Sequence, residues 1–300
     1  MEKVLGIDVG GTNVKFGVVD REGNLSDKIK YPTAELMADG NFLENFVQAV
    51  KTELNKHPEV SKVGMGIPGL ISKDGKTIVK TPNIEGLSGI DLIPTLRKRT
   101  RGVEFAMDND ANAAAYGEYI FSNDSVGDNF LMITLGTGVG GGAVIDGKMF
   151  RGGNGNAMEI GHIYSGKGES IEEKIGKKGI VEKARKLIKK YPNSLIASKK
   201  NNLDAKKVAK AALKGDEAAI KVFEHVGKYL GQCIVSGIRI LDLHTVIIGG
   251  GVSETFDIVE PTMMEVINEK LGPYYTDNLK ICKASLGNEA GILGAAALMM

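Results

Sequence analysis

Three glycine runs and one acidic pair hold the residues with chemical potential in this sequence. The first run lies within Leu5 to Val19, LGIDVGGTNVKFGVV. Leu5, Ile7 and Val9 alternate with small or polar residues, as in a half-buried strand, and strand character resumes from Val14 to Val19. Gly10 and Gly11 therefore sit at a hairpin tip. Walker A loops and dinucleotide fingerprints differ, because their glycines open a helix. The bare backbone N–H groups, the polar side chains of Thr12 and Asn13, and nearby Lys15 suit phosphate oxygens. Asp8, just before the turn, is placed to hold a metal ion through water. An ordinary Gly-Gly hairpin accounts for the same residues and stays open at this point.

The second run repeats that pattern: a strand from Asn129 to Leu135, a glycine turn from Gly136 to Gly142 containing Thr137 and Gly138, and a returning strand to Ile145. The third, Gly249, Gly250 and Gly251, follows a buried strand from Leu243 to Ile248 and opens a helix. Three missing side chains let a flat base or a ribose approach the backbone; tight strand–helix packing is the other reading. The acidic pair is Asp108 and Asp110, flanking Asn109 at a strand end ahead of a helix. Asp110 suits a general base that accepts a hydroxyl proton, but an Asp there is equally a helix N-cap, and Asp108 is a rival base.

The elements around these residues read as two α/β halves. After the first hairpin, a turn at Asp20 to Asn24 precedes a third strand to Tyr31. Phe42, Phe46, Val50 and Leu54 recur at helical spacing within Asn41 to Lys56. Strands at Lys62 to Ile67 and Val103 to Met107 alternate with helices at Ile90 to Thr100 and Ala111 to Phe121, and a short hairpin turns at Asp74-Gly75. The spacing divides the chain into residues 1–120 and 121–288. A closing helix over 289–300 is expected to return to the first part. Within the second part, Ile171 to Gly231 is helical and lysine-rich, with glutamates interleaved and few aromatics, which reads as a solvated face rather than a nucleic-acid patch. Gly227, Gly231 and Gly237 are spaced for close packing in a helix from Val226 to Leu241. Helices from Ser253 to Lys270 and Glu289 to Met299 flank a last strand, Leu279 to Ala284.

Composition narrows the function classes. A length of 300 residues fits two domains, and 42% hydrophobic with 25% charged residues is ordinary for a globular chain. A net charge of +1 gives no reason to expect nucleic acid or an anionic membrane as partner. Two cysteines, Cys233 and Cys282, build no disulfide framework. With no signal-peptide pattern at the start and no apolar run of spanning length, a cytoplasmic protein is expected.

The ordered set of motifs resembles one family. Two lobes that each open with strand–glycine–strand are the plan of the actin-like ATPase superfamily. DVGGTNVKFG (Asp8 to Gly17), GIPGL (Gly66 to Leu70), TPNI (Thr81 to Ile84), DNDANAAA (Asp108 to Ala115), LGTGVGGG (Leu135 to Gly142), EIGH (Glu159 to His162) and IIGGGVSE (Ile247 to Glu254) are similar to those of the repressor–open-reading-frame–kinase (ROK) family, in that family's order along essentially the whole chain. Its glucokinases match best. The resemblance implies an α/β, two-lobed actin-like ATPase (ribonuclease H-like) fold with duplicated domains and a central cleft. It also implies ATP-dependent phosphorylation of a hexose at its 6-hydroxyl, glucose first, with ATP and Mg²⁺, in a homodimer.

Site roles follow from the same resemblance. Asn109-Asp110 matches the family's catalytic pair, so Asp110 is the implied base. Gly66, Asn83, Asn109, Asp110, Glu159, His162 and Glu172 are the implied sugar contacts. Asp8, Gly10, Gly11, Thr12, Asn13, Lys15, Gly136, Thr137, Gly138, Gly249, Gly250 and Gly251 are the implied nucleotide contacts, and Asp8 steadies Mg²⁺ through water. Glu169 and Glu173 are neighbours that compete with Glu172. Closure of the lobes on sugar is expected, since water must be kept from the phosphoryl group.

The sequence departs from the family twice. The family's CxCGxxGC cluster, which holds a structural zinc together with the EIGH histidine, is replaced by HIYSGKGESIEEKIGKKG without cysteine. One histidine cannot supply such a site, so no zinc is expected. Leu87 stands where the family often has a tryptophan beside the sugar. Fructose, mannose or an N-acetylhexosamine are the alternative substrates, polyphosphate the alternative donor, and a non-catalytic sugar sensor the alternative from another class. The family's repressors carry an N-terminal helix-turn-helix, whereas this chain opens at the hairpin, so a repressor role is not expected.

Overall fold

The computed structural model describes residues 2–82, 84, 86–122, 126–166 and 168–300. Its strands are β1 (Lys3–Val9), β2 (Asn13–Asp20), β3 (Leu25–Pro32), β4 (Lys62–Ile67), β5 (Leu70–Ile71), β6 (Ile78–Lys80), β7 (Glu104–Asn109), β8 (Phe130–Leu135), β9 (Val139–Ile145), β10 (Lys148–Met149), β11 (Thr245–Gly250) and β12 (Lys280–Lys283). Its α-helices are α1 (Thr33–Leu36), α2 (Phe42–Lys56), α3 (Leu92–Arg99), α4 (Asp110–Phe121), α5 (Ile171–Ile175), α6 (Lys177–Ile188), α7 (Ala205–Ala212), α8 (Glu217–Leu241), α9 (Phe256–Lys270), α10 (Pro273–Thr276) and α11 (Ala290–Ala297). Among the described residues, no helix is long and apolar enough to cross a membrane.

The chain forms two units, residues 1–128 with 142–158 and 285–300, and residues 129–141 with 159–284. The sequence division at 120 and 121 differs from this. Residues 142–158 belong to the first unit because Gly142 lies close on α4, where an added Cβ would come within 2.7 Å of Ala115 Cβ, and because Asn156 exchanges two hydrogen bonds with the backbone of Ile71.

In the first unit the sheet order is β3-β2-β1-β4-β7. β1, β2 and β3 run antiparallel, while β1, β4 and β7 are parallel. The parallel strands are buried on both faces, which is why their residues read as nearly continuous apolar or small runs. α2 covers one face. Its Phe42 and Phe46 rings stack 5.8 Å apart and Phe46 lies 6.4 Å from Phe16 of β2, so the helical spacing of these residues is the spacing of a buried stripe. α11 covers the other face, and it does so at backbone distance. A Cβ on Gly6 would stand 2.3 Å from Ile292 O, and one on Gly64 1.8 Å from Ala295 O. Small residues in β1, β4 and α11 are what let helix and sheet meet.

In the second unit the order is β9-β8-β11-β12, with β8, β11 and β12 parallel; the far end of β9 pairs with β10 inside the first unit. The 25-residue α8 packs along α9. Cβ atoms at Gly227 and Gly231 would lie 2.4 Å from Val259 O and 2.8 Å from Met263 O, the close approach that their spacing predicts. β9 begins at Val139, so the second glycine turn is only residues 136–138, shorter than the Gly136 to Gly142 run suggests. α8 starts nine residues before the expected Val226, because Asp216 caps it by accepting from Ala219 N.

Candidate active site

In the first unit the candidate residues fall in register. Along the parallel ladder Asp8 is opposite Gly66, Gly66 opposite Asp108, and Ile67 opposite Asn109. The ends of β1, β4 and β7 therefore present Asp8, Gly66 and Asn109-Asp110 in a row, at the carboxyl edge where parallel sheets bind ligands. Asn83 lies outside the described residues.

The two acids of the DND motif have different surroundings. Asp108 is buried, with 3% of its side chain exposed, and its Oδ2 accepts from Arg151 Nε at 2.7 Å. Its Oδ1 accepts from Asn112 Nδ2 at 3.0 Å and from Asn109 N at 2.8 Å. This acid holds the loop through three donors. Asn109 is the N-cap of α4: its Oδ1 accepts from Ala111 N and Asn112 N, and its Nδ2 donates to Gly69 O at 3.0 Å. Asp110 is the first helical residue and is exposed, with one carboxylate oxygen accepting from Ala111 N at 3.0 Å. The cap reading of Asp110 thus passes to its neighbour.

Arg151, 43 residues away in sequence, is the residue that sequence reasoning missed here. Replacing it by alanine strands a buried carboxylate. The expected cost is about 2–4 kcal/mol, seen as a lower thermal midpoint. Arg151→Lys should recover only part of it, because the ammonium lacks the planar geometry of the guanidinium. A midpoint unchanged in Arg151→Ala would show that the pair does not hold the loop.

The first glycine turn is anchored from α1. Thr33 Oγ1 donates to Gly10 O at 2.6 Å and Thr33 N to Thr12 O at 2.9 Å. A Cβ on Gly10 would stand 2.9 Å from Asn13 O, so this glycine is required by crowding within the turn. Gly11 and Thr12 are exposed. Lys15 is not merely an exposed lysine of β2: directly across the hairpin, its Nζ donates to Asp8 Oδ2 at 2.7 Å. A Cβ on Gly291 of α11 would lie 2.5 Å from that carboxylate, so the glycine there makes room for Asp8. A single half-buried carboxylate fits a Mg²⁺ held through water, because Mg²⁺ keeps most of its water shell. Among the described residues, no group of three or more His, Cys, Asp or Glu suited to a metal ion is present.

In the second unit, β8 and β11 are parallel with Thr134 opposite Gly249 and Leu135 opposite Gly250, which sets the Gly136–Gly138 turn beside Gly249–Gly251. The three later glycines have different reasons. A Cβ on Gly249 would meet Met132 Cε at 2.6 Å, and Gly250 has φ 80° and ψ −170° with Leu135 O 2.3 Å from its absent Cβ. Both serve packing. Gly251 is exposed, and a Cβ there would meet only Leu135 O at 3.9 Å; it is the position with room for a ligand.

Glu159, His162 and Glu172 come together in this unit. Glu159 and His162 flank a 3-10 turn, and His162 Nε2 lies 3.7 Å from Glu159 Oε2, beyond hydrogen-bond distance. Burial raises the Glu159 carboxyl above its ordinary 4.5, a charged His162 pulls it back, and the Glu172 carboxylate raises it further. The neighbours of Glu172 are otherwise engaged: Glu173 forms a capping box with Ser170, and Glu169 pairs with Lys174. Met158, before Glu159, has φ 66°, a left-handed conformation that long side chains rarely adopt. Leu87, by contrast, is 1% exposed and belongs to the apolar core of the first unit. Burial and nearby lysines lower His225 to about 4, and burial raises the Cys233 thiol to about 12, so neither is primed for chemistry.

The comparisons with known proteins cover the chain from end to end. The ROK family model matches residues 4–300. The glucokinase of Halalkalibacterium halodurans is 33% identical over 307 residues, spanning 97% of this chain and 92% of its own. Among solved structures, a ROK family glucokinase from Streptomyces griseus in complex with glucose and AMPPNP has a TM-score of 0.83 at 29% identity, covering 99% of this chain and 98% of that one. A ROK hexokinase from Thermus thermophilus has a TM-score of 0.78 at 26% identity, covering 98% and 97%. Two units that each open with a strand, a glycine turn and a returning strand, matched by one family model along nearly their full length, place this chain in the ROK family, on its actin-like ATPase fold.

Proposed function

We propose that this chain transfers the terminal phosphoryl group of ATP to the 6-hydroxyl of a hexose, with glucose the first candidate. The observation that carries the reading is the arrangement at the end of β7: Asp108 is buried against Arg151, Asn109 caps α4, and the Asp110 carboxylate is exposed at the strand edge that also presents Asp8 and Gly66. Such a carboxylate accepts the proton of the attacking hydroxyl as the oxygen–phosphorus bond forms. Little else in phosphoryl transfer is covalent work for a protein; the rest is positioning and charge stabilisation. Gly11, Thr12 and Asn13 supply donors for phosphate oxygens in one unit and Thr137 and Gly138 in the other; the N–H groups of Gly10 and Gly136, expected among these donors, instead close their own turns on Asn13 O and Gly138 O. Lys15 adds positive charge beside Asp8. Asp8 would hold Mg²⁺ through water, and the ion would neutralise charge on the phosphates. Gly251 accepts the nucleoside. Gly66, Asn83, Asn109, Glu159, His162 and Glu172 receive the sugar hydroxyls. Site, metal, homodimer and cytoplasmic location belong to this proposal together.

Formation of the sugar phosphate over glucose, mannose, fructose, N-acetylglucosamine and N-acetylmannosamine tests it, followed by coupled ADP release with ATP as donor and by direct detection of the sugar phosphate with polyphosphate as donor. ADP release with ATP, fastest with glucose, is the expected result. No sugar phosphate from either donor would leave the sugar-sensor reading.

A pH dependence follows from Glu159. As a hydrogen-bond acceptor for a sugar hydroxyl it works ionised, and its raised value moves protonation to a higher pH than for an ordinary carboxylate. The sugar KM is therefore expected to rise on acidification while the pH is still above 4.5. Glu159→Gln should remove that limb, and a limb that survives would assign it to another group.

A further inference from the structure

Val139 is the first residue beyond the second glycine turn, and it is gripped from two sides. Its N–H donates to Glu172 Oε2 at 2.9 Å. Its carbonyl oxygen lies where a Cβ on Gly161 would come within 2.1 Å. Gly138 has no side chain at the place where a Cβ would stand 2.1 Å from that same Glu172 oxygen. A second tie runs from the start of α6, where Lys177 N donates to Thr137 O at 3.2 Å. Among the described residues, Glu172 Oε1 accepts no hydrogen bond.

We propose that Glu172 is a positioning residue for the phosphate turn as well as a sugar contact, one carboxylate serving both. Oε2 fixes the Val139 amide and with it the turn closed by the Gly136 N–H on Gly138 O, which carries the donors of Thr137 and Gly138. Oε1 faces a sugar hydroxyl. The Val139 N–H is thereby withdrawn from the phosphate. A sugar that orders this carboxylate also orders the turn, so sugar and nucleotide each raise the other's affinity, as linkage demands. Gly138 is kept small by this contact, and Gly161 of the EIGH turn by the contact with Val139 O. The sugar half of the proposal rests on the hexose-kinase reading; the anchoring of the turn does not.

The test uses Glu172→Asp, which keeps the charge and is one methylene short of the amide. Two quantities are read: hydrogen exchange of the Val139 amide by NMR, and AMPPNP affinity by calorimetry with and without glucose. In Glu172→Asp, exchange is expected to quicken by about tenfold, AMPPNP without sugar to bind about tenfold more weakly, and the glucose-dependent gain in affinity to vanish. Glu173→Ala is the control. It breaks the capping box and lowers the thermal midpoint, yet should leave Val139 exchange and AMPPNP affinity within about twofold of the parent, because it does not touch the turn. AMPPNP affinity without sugar unchanged in Glu172→Asp overturns the proposal, whether or not exchange quickens, since the anchor would then be structural alone. A parent chain that binds no AMPPNP overturns the kinase reading, and with it this one. An unchanged variant of a parent that does bind overturns the inference alone.

Discussion

Asp110→Asn is expected to lower turnover by about 10²- to 10⁴-fold, with sugar affinity retained and the thermal midpoint within a few degrees of the parent. The combination follows from the geometry. A residue at the start of a helix usually has a stability role that confounds any test of catalysis, because deleting an N-cap costs about 1 kcal/mol. Here Asn109 performs that task with its own amide oxygen. Asp110 contributes a charge in the first turn of α4, worth about 0.3–1 kcal/mol at an exposed position, and the asparagine retains an oxygen that can accept from Ala111 N. The loss is therefore catalytic. Asp108→Asn gives the converse: it disturbs a buried carboxylate with three hydrogen-bond donors around it, so it should destabilise the first unit. Steady-state kinetics with thermal melts of both variants checks this. Full turnover in Asp110→Asn would remove the residue as the base, and equal loss of stability in both would show that the motif is a folding device.

The second large effect is expected at Gly250, with Gly251 as its contrast. Gly250→Ala places a Cβ 2.3 Å from Leu135 O on a backbone with φ 80° and ψ −170°, a region essentially confined to glycine. Strain of about 1–3 kcal/mol from the backbone alone, with the steric collision added, predicts a loss of at least about 3 kcal/mol. The thermal midpoint should fall by roughly 6–12 °C in a chain of this size. Nucleotide binding should fall with it, since Leu135 leads directly into the Gly136–Gly138 turn. Gly251→Ala meets only Leu135 O at 3.9 Å. Its midpoint should hold, while its KM for ATP rises about tenfold as the methyl occupies space used by the nucleoside. Melting curves and ATP titrations of both variants separate packing from binding, and a Gly251→Ala enzyme with unaltered ATP KM would move the nucleoside elsewhere.

Much of the fold was legible because its signals are local. Alternation in β1, the helical stripe of α2 and the glycine tips are properties of adjacent residues, and short-range sterics enforce them whatever the rest of the chain does. The same is true of the glycine spacing in α8, which reports close packing before the partner helix is known. Boundaries were less legible where a single side chain sets them, as at Asp216 and the start of α8, or where glycines already lie in the returning strand, as in β9.

The chemical inventory is legible along the chain: two glycine turns of one type, a later glycine turn, one acidic pair and the EIGH motif, in the order of the family. What the members of each set touch is set by tertiary contacts. These distinguish Asp108, paired with Arg151, from Asp110; Glu173 and Glu169, held by a capping box and an ion pair, from Glu172; and Gly249 and Gly250, packed on neighbouring atoms, from Gly251. The physical reason is common to all three. Identical residue types in one motif differ only in what they touch, and those partners lie on other elements, beyond the reach of any local pattern.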